Sequence, residues 1–127
     1  MKRFSLVLLV ALGILAGCTD EDLEQDRNVL IRVENVSEYD FDRVTVDTSG
    51  GEESYGSVAR DGGVSAYRAF EFAYPFATVE VNILGSKFDF TPIDYTGETR
   101  LTNGSYTYLV DVDDFAGRSL TLTLRRD

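Results

Sequence analysis

From Asn28 onward, apolar and polar positions alternate in short runs separated by glycine-containing turns. That is the pattern of β-strands with one face buried, and no stretch repeats at the helical period. Val29, Ile31 and Val33 share one parity, with Leu30, Arg32 and Glu34 on the other, and Val44 and Val46 alternate with Arg43, Thr45 and Asp47. Ser49-Gly50-Gly51 and Asp61-Gly62-Gly63 read as tight turns around a strand near Ser54 to Ala59. Strands are predicted at Val64 to Phe72, at Thr78 to Leu84 with Val79, Val81 and Ile83 inward, and at Lys87 to Phe90. Pro75 has no N–H to donate and marks an edge, a bulge or a break. In the last third, Asn103-Gly104 is a hairpin signal, followed by Tyr106, Tyr108, Val110 and Val112 on one face. A turn at Phe115 to Arg118 then leads into Leu120, Leu122 and Leu124. The expected fold is all-β: an antiparallel β-sandwich of about seven to eight strands in a single domain, residues 28–127.

Leu101-Thr102-Asn103-Gly104-Ser105-Tyr106 resembles the corner before the penultimate strand of immunoglobulin-like and transthyretin-like sandwiches. There a leucine, a turn glycine and a tyrosine lock one sheet to the other. The resemblance implies a structural Tyr106, its hydroxyl bonded to nearby backbone.

The first residues follow a different pattern. Met1-Lys2-Arg3 is basic, and Phe4 to Ala16 is an uncharged, mostly apolar run. That run is too short to cross a hydrocarbon layer of about 30 Å as a helix, so residues 1–17 read as an export signal. It ends in Leu15-Ala16-Gly17-Cys18, which resembles the lipobox of bacterial lipoproteins. The resemblance implies cleavage before Cys18 and a diacylated or triacylated cysteine at the start of the mature chain. Two or three acyl chains anchor a protein stably where one holds it marginally. Residues 18–27, Cys-Thr-Asp-Glu-Asp-Leu-Glu-Gln-Asp-Arg, then form an acidic, aperiodic tether. An acidic run after the cysteine resembles the surface-export signal of Bacteroidota lipoproteins, and Thr19 stands where inner-membrane retention typically uses aspartate. The expected location is the bacterial outer membrane, displayed at the cell surface. As a plain spacer, the same tether would carry no sorting information.

Charge narrows the partners. Removing residues 1–17 takes away Lys2 and Arg3 and no acid, so 10 basic and 22 acidic side chains remain, a net charge of −12. Such a surface repels nucleic acid and anionic lipid headgroups. The chain has no histidine, which removes the usual general base and zinc ligand, and Cys18 is its one cysteine, which rules out an internal disulfide. Carboxylates such as Glu71, Glu80, Asp89 and Asp94 are plentiful, but nothing singles out an acid-base pair. Neither enzymatic activity nor a cofactor is expected.

Two constellations remain. Phe70, Phe72, Tyr74 and Phe76 share one parity, so an extended segment would line four rings along one face. Exposed, they would form a stacking platform for a sugar or an apolar groove for a partner. Buried, they are core, which is the commoner fate of phenylalanine. Asp111, Asp113 and Asp114 gather at a strand end, where carboxylates and loop carbonyls could hold Ca²⁺. The spacing is not that of an EF-hand loop, and solvated acids at a sheet rim are the simpler reading. Asn35-Val36-Ser37 and Asn103-Gly104-Ser105 match the N-glycosylation pattern, which carries little weight in a bacterial lipoprotein. The expected function is a non-catalytic interaction or structural module of the cell envelope, meeting an envelope protein or glycan. The alternative is a carbohydrate-binding accessory lipoprotein, with or without Ca²⁺.

Overall fold

Nine strands account for the regular structure of the computed structural model, which describes residues 29–93 and 98–127. The export signal, Cys18, the acidic tether and Asp94 lie outside the described residues. Among those described there is no helix. The strands are β1 (Val29–Asn35), β2 (Phe41–Asp47), β3 (Glu52–Val58), β4 (Gly63–Val64) and β5 (Arg68–Phe70), then β6 (Thr78–Ile83), β7 (Ser86–Phe90), β8 (Gly104–Asp114) and β9 (Ser119–Arg126).

The alternation read from the sequence sets the inward faces. Val29, Ile31 and Val33 of β1, Val79, Val81 and Ile83 of β6, and Tyr106, Tyr108 and Val110 of β8 are all buried in one core with Phe41, Phe70 and Phe88. Leu120 joins them, while Val112, Leu122 and Leu124 are half-buried where the core thins. Phe41 and Val44 are three residues apart and both buried. This is irreconcilable with strict alternation, and the β2–β3 register shifts between them, where Gly56 takes a φ of 76°.

The strands form one mixed sheet in the order β3-β2-β6-β7-β9-β8-β1-β4, with β5 also paired to β1. The far ends of this path approach each other, and the Tyr55 hydroxyl of β3 donates to the Ile31 carbonyl of β1 at 2.8 Å. The result is a nearly closed barrel. Burial, followed by the neighbouring Tyr108 and Glu53, pushes the Tyr55 phenol well above its ordinary pKa, so it stays a donor across that gap.

Three expectations need correction. The sheet is not wholly antiparallel: β1 and β8 pair in parallel from Val29↔Gly104 to Asn35↔Val110, and β7 meets β9 in parallel at Asp89↔Ser119. Parallel neighbours need a long connection, and the whole run β2 to β7 supplies it between β1 and β8. Asn103-Gly104 is not a hairpin turn, because β8 pairs with β1 and β9 and no strand ends at Asn103. The predicted strand from Val64 to Phe72 is split into β4 and β5. Between them the Ser65 side chain, not a ladder, accepts the Val33 N–H at 2.9 Å, and the strand count rises to nine.

The closing β8–β9 hairpin is as the alternation predicts, running from Tyr106↔Arg126 to Asp114↔Ser119. Tyr106 is buried and its hydroxyl donates to the Thr102 carbonyl at 2.8 Å.

The barrel has two unlike poles. One gathers the start of β1, the β2–β3 turn, residues 71–77 and the end of β9. The other gathers the β1–β2 loop, residues 59–62, the β6–β7 turn and the β8–β9 turn. A seven-residue β1 at about 3.3 Å per residue sets them roughly 20 Å apart.

Candidate functional site

At the pole where β1 begins, the aromatic run does not present one face. β5 stops at Phe70, which is 1% exposed, and residues 71–77 cross the barrel end as irregular chain. Phe72, Tyr74 and Phe76 are half-buried. Neighbours hold this crossing by its backbone, which is why the segment cannot remain a strand. The Thr48 hydroxyl donates to the Phe72 carbonyl at 2.9 Å, the Leu101 N–H to Ala73 at 2.8 Å, and the Tyr108 hydroxyl to Tyr74 at 2.7 Å. Gly50 is needed beneath it, since any Cβ there would collide with the Phe72 carbonyl. The Phe72 and Tyr74 rings meet edge to face at 6.0 Å, and the Arg100 guanidinium covers the Phe72 ring at 3.7 Å. A four-ring sugar platform is not what this arrangement offers.

The acidic group at the end of β8 is also dispersed. Asp113 occupies a bulge between Val112↔Leu120 and Asp114↔Ser119, which interrupts the alternation that would set it beside Asp111. Asp111 accepts the Val112 N–H at 2.8 Å, and Asp113 the Ser119 hydroxyl at 3.4 Å. Among the described residues no three histidine, cysteine, aspartate or glutamate side chains gather in a metal-holding group.

The outer face of β1, β8 and β9 carries a polar layer built over the buried Thr107. Its hydroxyl lies 2.7 Å from Asp127 Oδ2 and receives the Arg32 Nε–H at 3.0 Å. Tyr67 donates to the same carboxylate, and Arg125 bridges Asp127 at 3.3 Å and Glu34 at 3.2 Å. Burial pulls the Asp127 carboxyl upward, but hydrogen bonds from Tyr67, Thr107 and Arg125 outweigh it and leave it below the ordinary aspartate range. Each member has its partner within the layer, so its chemistry is that of a latch.

The opposite pole is different in kind. Asn35 is fully buried: its amide nitrogen donates to the carbonyls of Tyr39 (2.7 Å) and Val58 (3.1 Å), and its oxygen accepts from the Ser37 N–H and hydroxyl. That knot explains Asn35-Val36-Ser37 without glycosylation, and it fixes the loop that presents Tyr39. Tyr39 packs on Phe115 with centroids 4.7 Å apart, and Phe115 packs on the buried Phe88 at 5.1 Å. An aromatic column thus runs from core to surface, where Phe115 is 43% exposed.

Beside it, Leu84 and Gly85 form the two-residue β6–β7 turn, with φ of 51° and 81°. Both positive values define a turn that favours Asn-Gly; a leucine there costs about 1 kcal/mol. Leu84 is also 83% exposed. Two adjoining shallow cavities of about 240 and 290 Å³ flank Asp40 and Asp42, the first bounded by Glu38, Tyr39, Arg60, Ile83 and Leu84. Neither the column nor the groove was predicted; the one signal in sequence was Leu84-Gly85 where a turn wants asparagine.

The fold and this pole define an all-β domain with one apolar, acid-rimmed end. No protein-family profile matches the chain, and no curated protein does. Among solved structures it is similar to the NMR structure of a protein from Eubacterium rectale, at 16% identity and a TM-score of 0.51, covering 74% of this chain and 86% of that one. It is also similar to the crystal structure of a proposed cell adhesion protein from Bacteroides ovatus ATCC 8483, at 12% identity and a TM-score of 0.50. That match covers 79% of this chain and 44% of the other, so this chain spans less than half its length. At these identities the likeness is one of fold.

Proposed function

We propose that this protein is a non-catalytic lipoprotein of the bacterial outer membrane, held by acyl chains on Cys18, that displays its β domain at the cell surface as an interaction module. The observation that carries the reading is Leu15-Ala16-Gly17-Cys18 at the end of a short apolar run. An acidic tether of residues 19–27, at most about 3.5 Å per residue, holds the domain within roughly 30 Å of the headgroups. The tether enters β1 at Val29, so the pole bearing Leu84 and Phe115 faces away from the membrane. The fold likeness to a proposed adhesion protein from Bacteroides ovatus is in keeping with a surface role.

Within this reading the barrel is a sandwich of the immunoglobulin-like or transthyretin-like kind. In support, among the described residues the ladder between β3-β2-β6-β7 and β9-β8-β1-β4 has the single register pair Asp89↔Ser119, and Tyr106 bonds back to Thr102 as the corner tyrosine of such folds does.

Mass spectrometry of the full chain expressed in a Bacteroidota host tests it. The expected product starts at an acylated Cys18, fractionates with the outer membrane and is removed from intact cells by protease, whereas Cys18→Ser is released. An uncleaved wild-type chain, or a Cys18→Ser variant that stays membrane-bound, overturns the anchor. Resistance to protease on intact cells overturns surface display.

A further inference from the structure

We infer that the pole carrying Leu84, Tyr39 and Phe115 is a docking surface for an extended protein segment in which an apolar side chain is flanked by lysine or arginine. The inference deepens the proposed interaction role and rests on it.

The apolar part of the surface is built in. Leu84 projects into solvent from a turn that most sequences fill with asparagine or glycine, and Phe115 and Tyr39 carry the core to the surface beside it. The Asn35 and Ser37 hydrogen bonds hold the β1–β2 loop in place before anything binds, so little ordering is left to be done on association. The adjoining groove runs past Leu84 to Asp40 and Asp42.

Charge selects the occupant. Glu38, Asp40 and Asp42 rim the groove, and Asp113 and Asp114 end β8 immediately before Phe115 in the chain. Among the described residues none of these five forms an ion pair, and the groove's cation, Arg60, is engaged by Asp61 at 3.5 Å. Negative potential around an apolar anchor attracts a cationic, apolar segment and repels acidic ones. A glycan fits less well. Leu84 is aliphatic, and the Tyr39 and Phe115 rings pack on each other at 4.7 Å and 37° and do not lie side by side as one flat stacking platform.

The test uses the full lipidated chain in nanodiscs of zwitterionic phosphatidylcholine, titrated with synthetic peptides and followed by amide NMR. An alternating lysine–leucine peptide is the probe, with glutamate–leucine and lysine–serine peptides and a neutral glucan as comparisons. The lysine–leucine peptide is expected to shift amides at residues 38–42, 60, 84 and 115, and to bind less tightly as salt rises. Leu84→Asn, which suits the turn and so keeps the fold, is expected to weaken that binding about tenfold. Equal binding of lysine–leucine and lysine–serine peptides, shifts confined to residues 70–76, a preference for the glutamate peptide or the glucan, or an unaffected Leu84→Asn each overturn the inference. The Cys18→Ser fractionation answers separately for the anchor: release from the membrane alongside any of those outcomes leaves the anchor standing and removes only this surface.

Discussion

The two poles close the same barrel in opposite ways. Where β1 begins, residues 71–77 lie across the end and their carbonyls are taken up by Thr48, Leu101 and Tyr108, so half-buried rings sit over satisfied backbone. At the other pole the apolar atoms are outermost: Leu84 stands exposed in a left-handed conformation and Phe115 caps a column rooted in the core. Four aromatic residues in sequence produced the quiet end, and a single leucine in a turn marks the active-looking one. Aromatic content is therefore a poor guide to a binding surface here; backbone conformation and exposure together are the better one.

That contrast can be broken most sharply at Gly50. Alanine there drives a Cβ into the Phe72 backbone, and the expected loss is about 2–3 kcal/mol, read as a lower urea midpoint with an unchanged slope. Little change would mean that the crossing segment is loosely held and the first pole is not closed. Leu84→Asn should act in the other direction, stabilising the domain by about 1 kcal/mol as the turn gains a residue suited to positive φ. A thermal melt that falls instead would show Leu84 to be a packing residue, and the contrast between the poles would vanish.

The smallest effect concerns Asp127, whose backbone N–H donates to the Ser105 carbonyl at 2.9 Å beside the first pole. Its carboxyl is held below the ordinary aspartate value in the folded state, so its contribution is present above the unfolded pKa and is lost as pH falls through the folded one. Wild type should exceed Asp127→Asn in urea midpoint near neutral pH. The difference should shrink as pH drops below about 4. A pH-independent difference would assign the latch to shape and not to charge.

Much of the fold was legible because burial imposes a period of two. The inward sets of β1, β6, β8 and β9 follow directly from alternation, as does the β8–β9 hairpin. Alternation says which side chains face inward and is silent on which strand lies alongside, so the parallel β1–β8 pairing was invisible. The same rule misled at Phe70 to Phe76, where regular spacing suggests a strand but Thr48, Leu101 and Tyr108 claim the backbone groups a ladder would use. It misled again at Asp113, whose bulge separates carboxylates that equal spacing would align. The second pole was illegible for another reason: Tyr39, Asp42, Leu84 and Phe115 come from separate connections and strand ends, and only the barrel brings them together.

The parallel placement of β1 bears on mechanics. A pull at Val29 against a load held at the opposite pole would act along β1, which lies inside the sheet with β8 on one side and β4 and β5 on the other. Drawing the strand out lengthwise loads the rungs from Val29↔Gly104 to Asn35↔Val110 together, in shear, so none can be peeled off ahead of the rest. A domain tugged from that end resists as a bolt resists withdrawal, and its lifetime under tension is set by the rate at which the whole ladder slips.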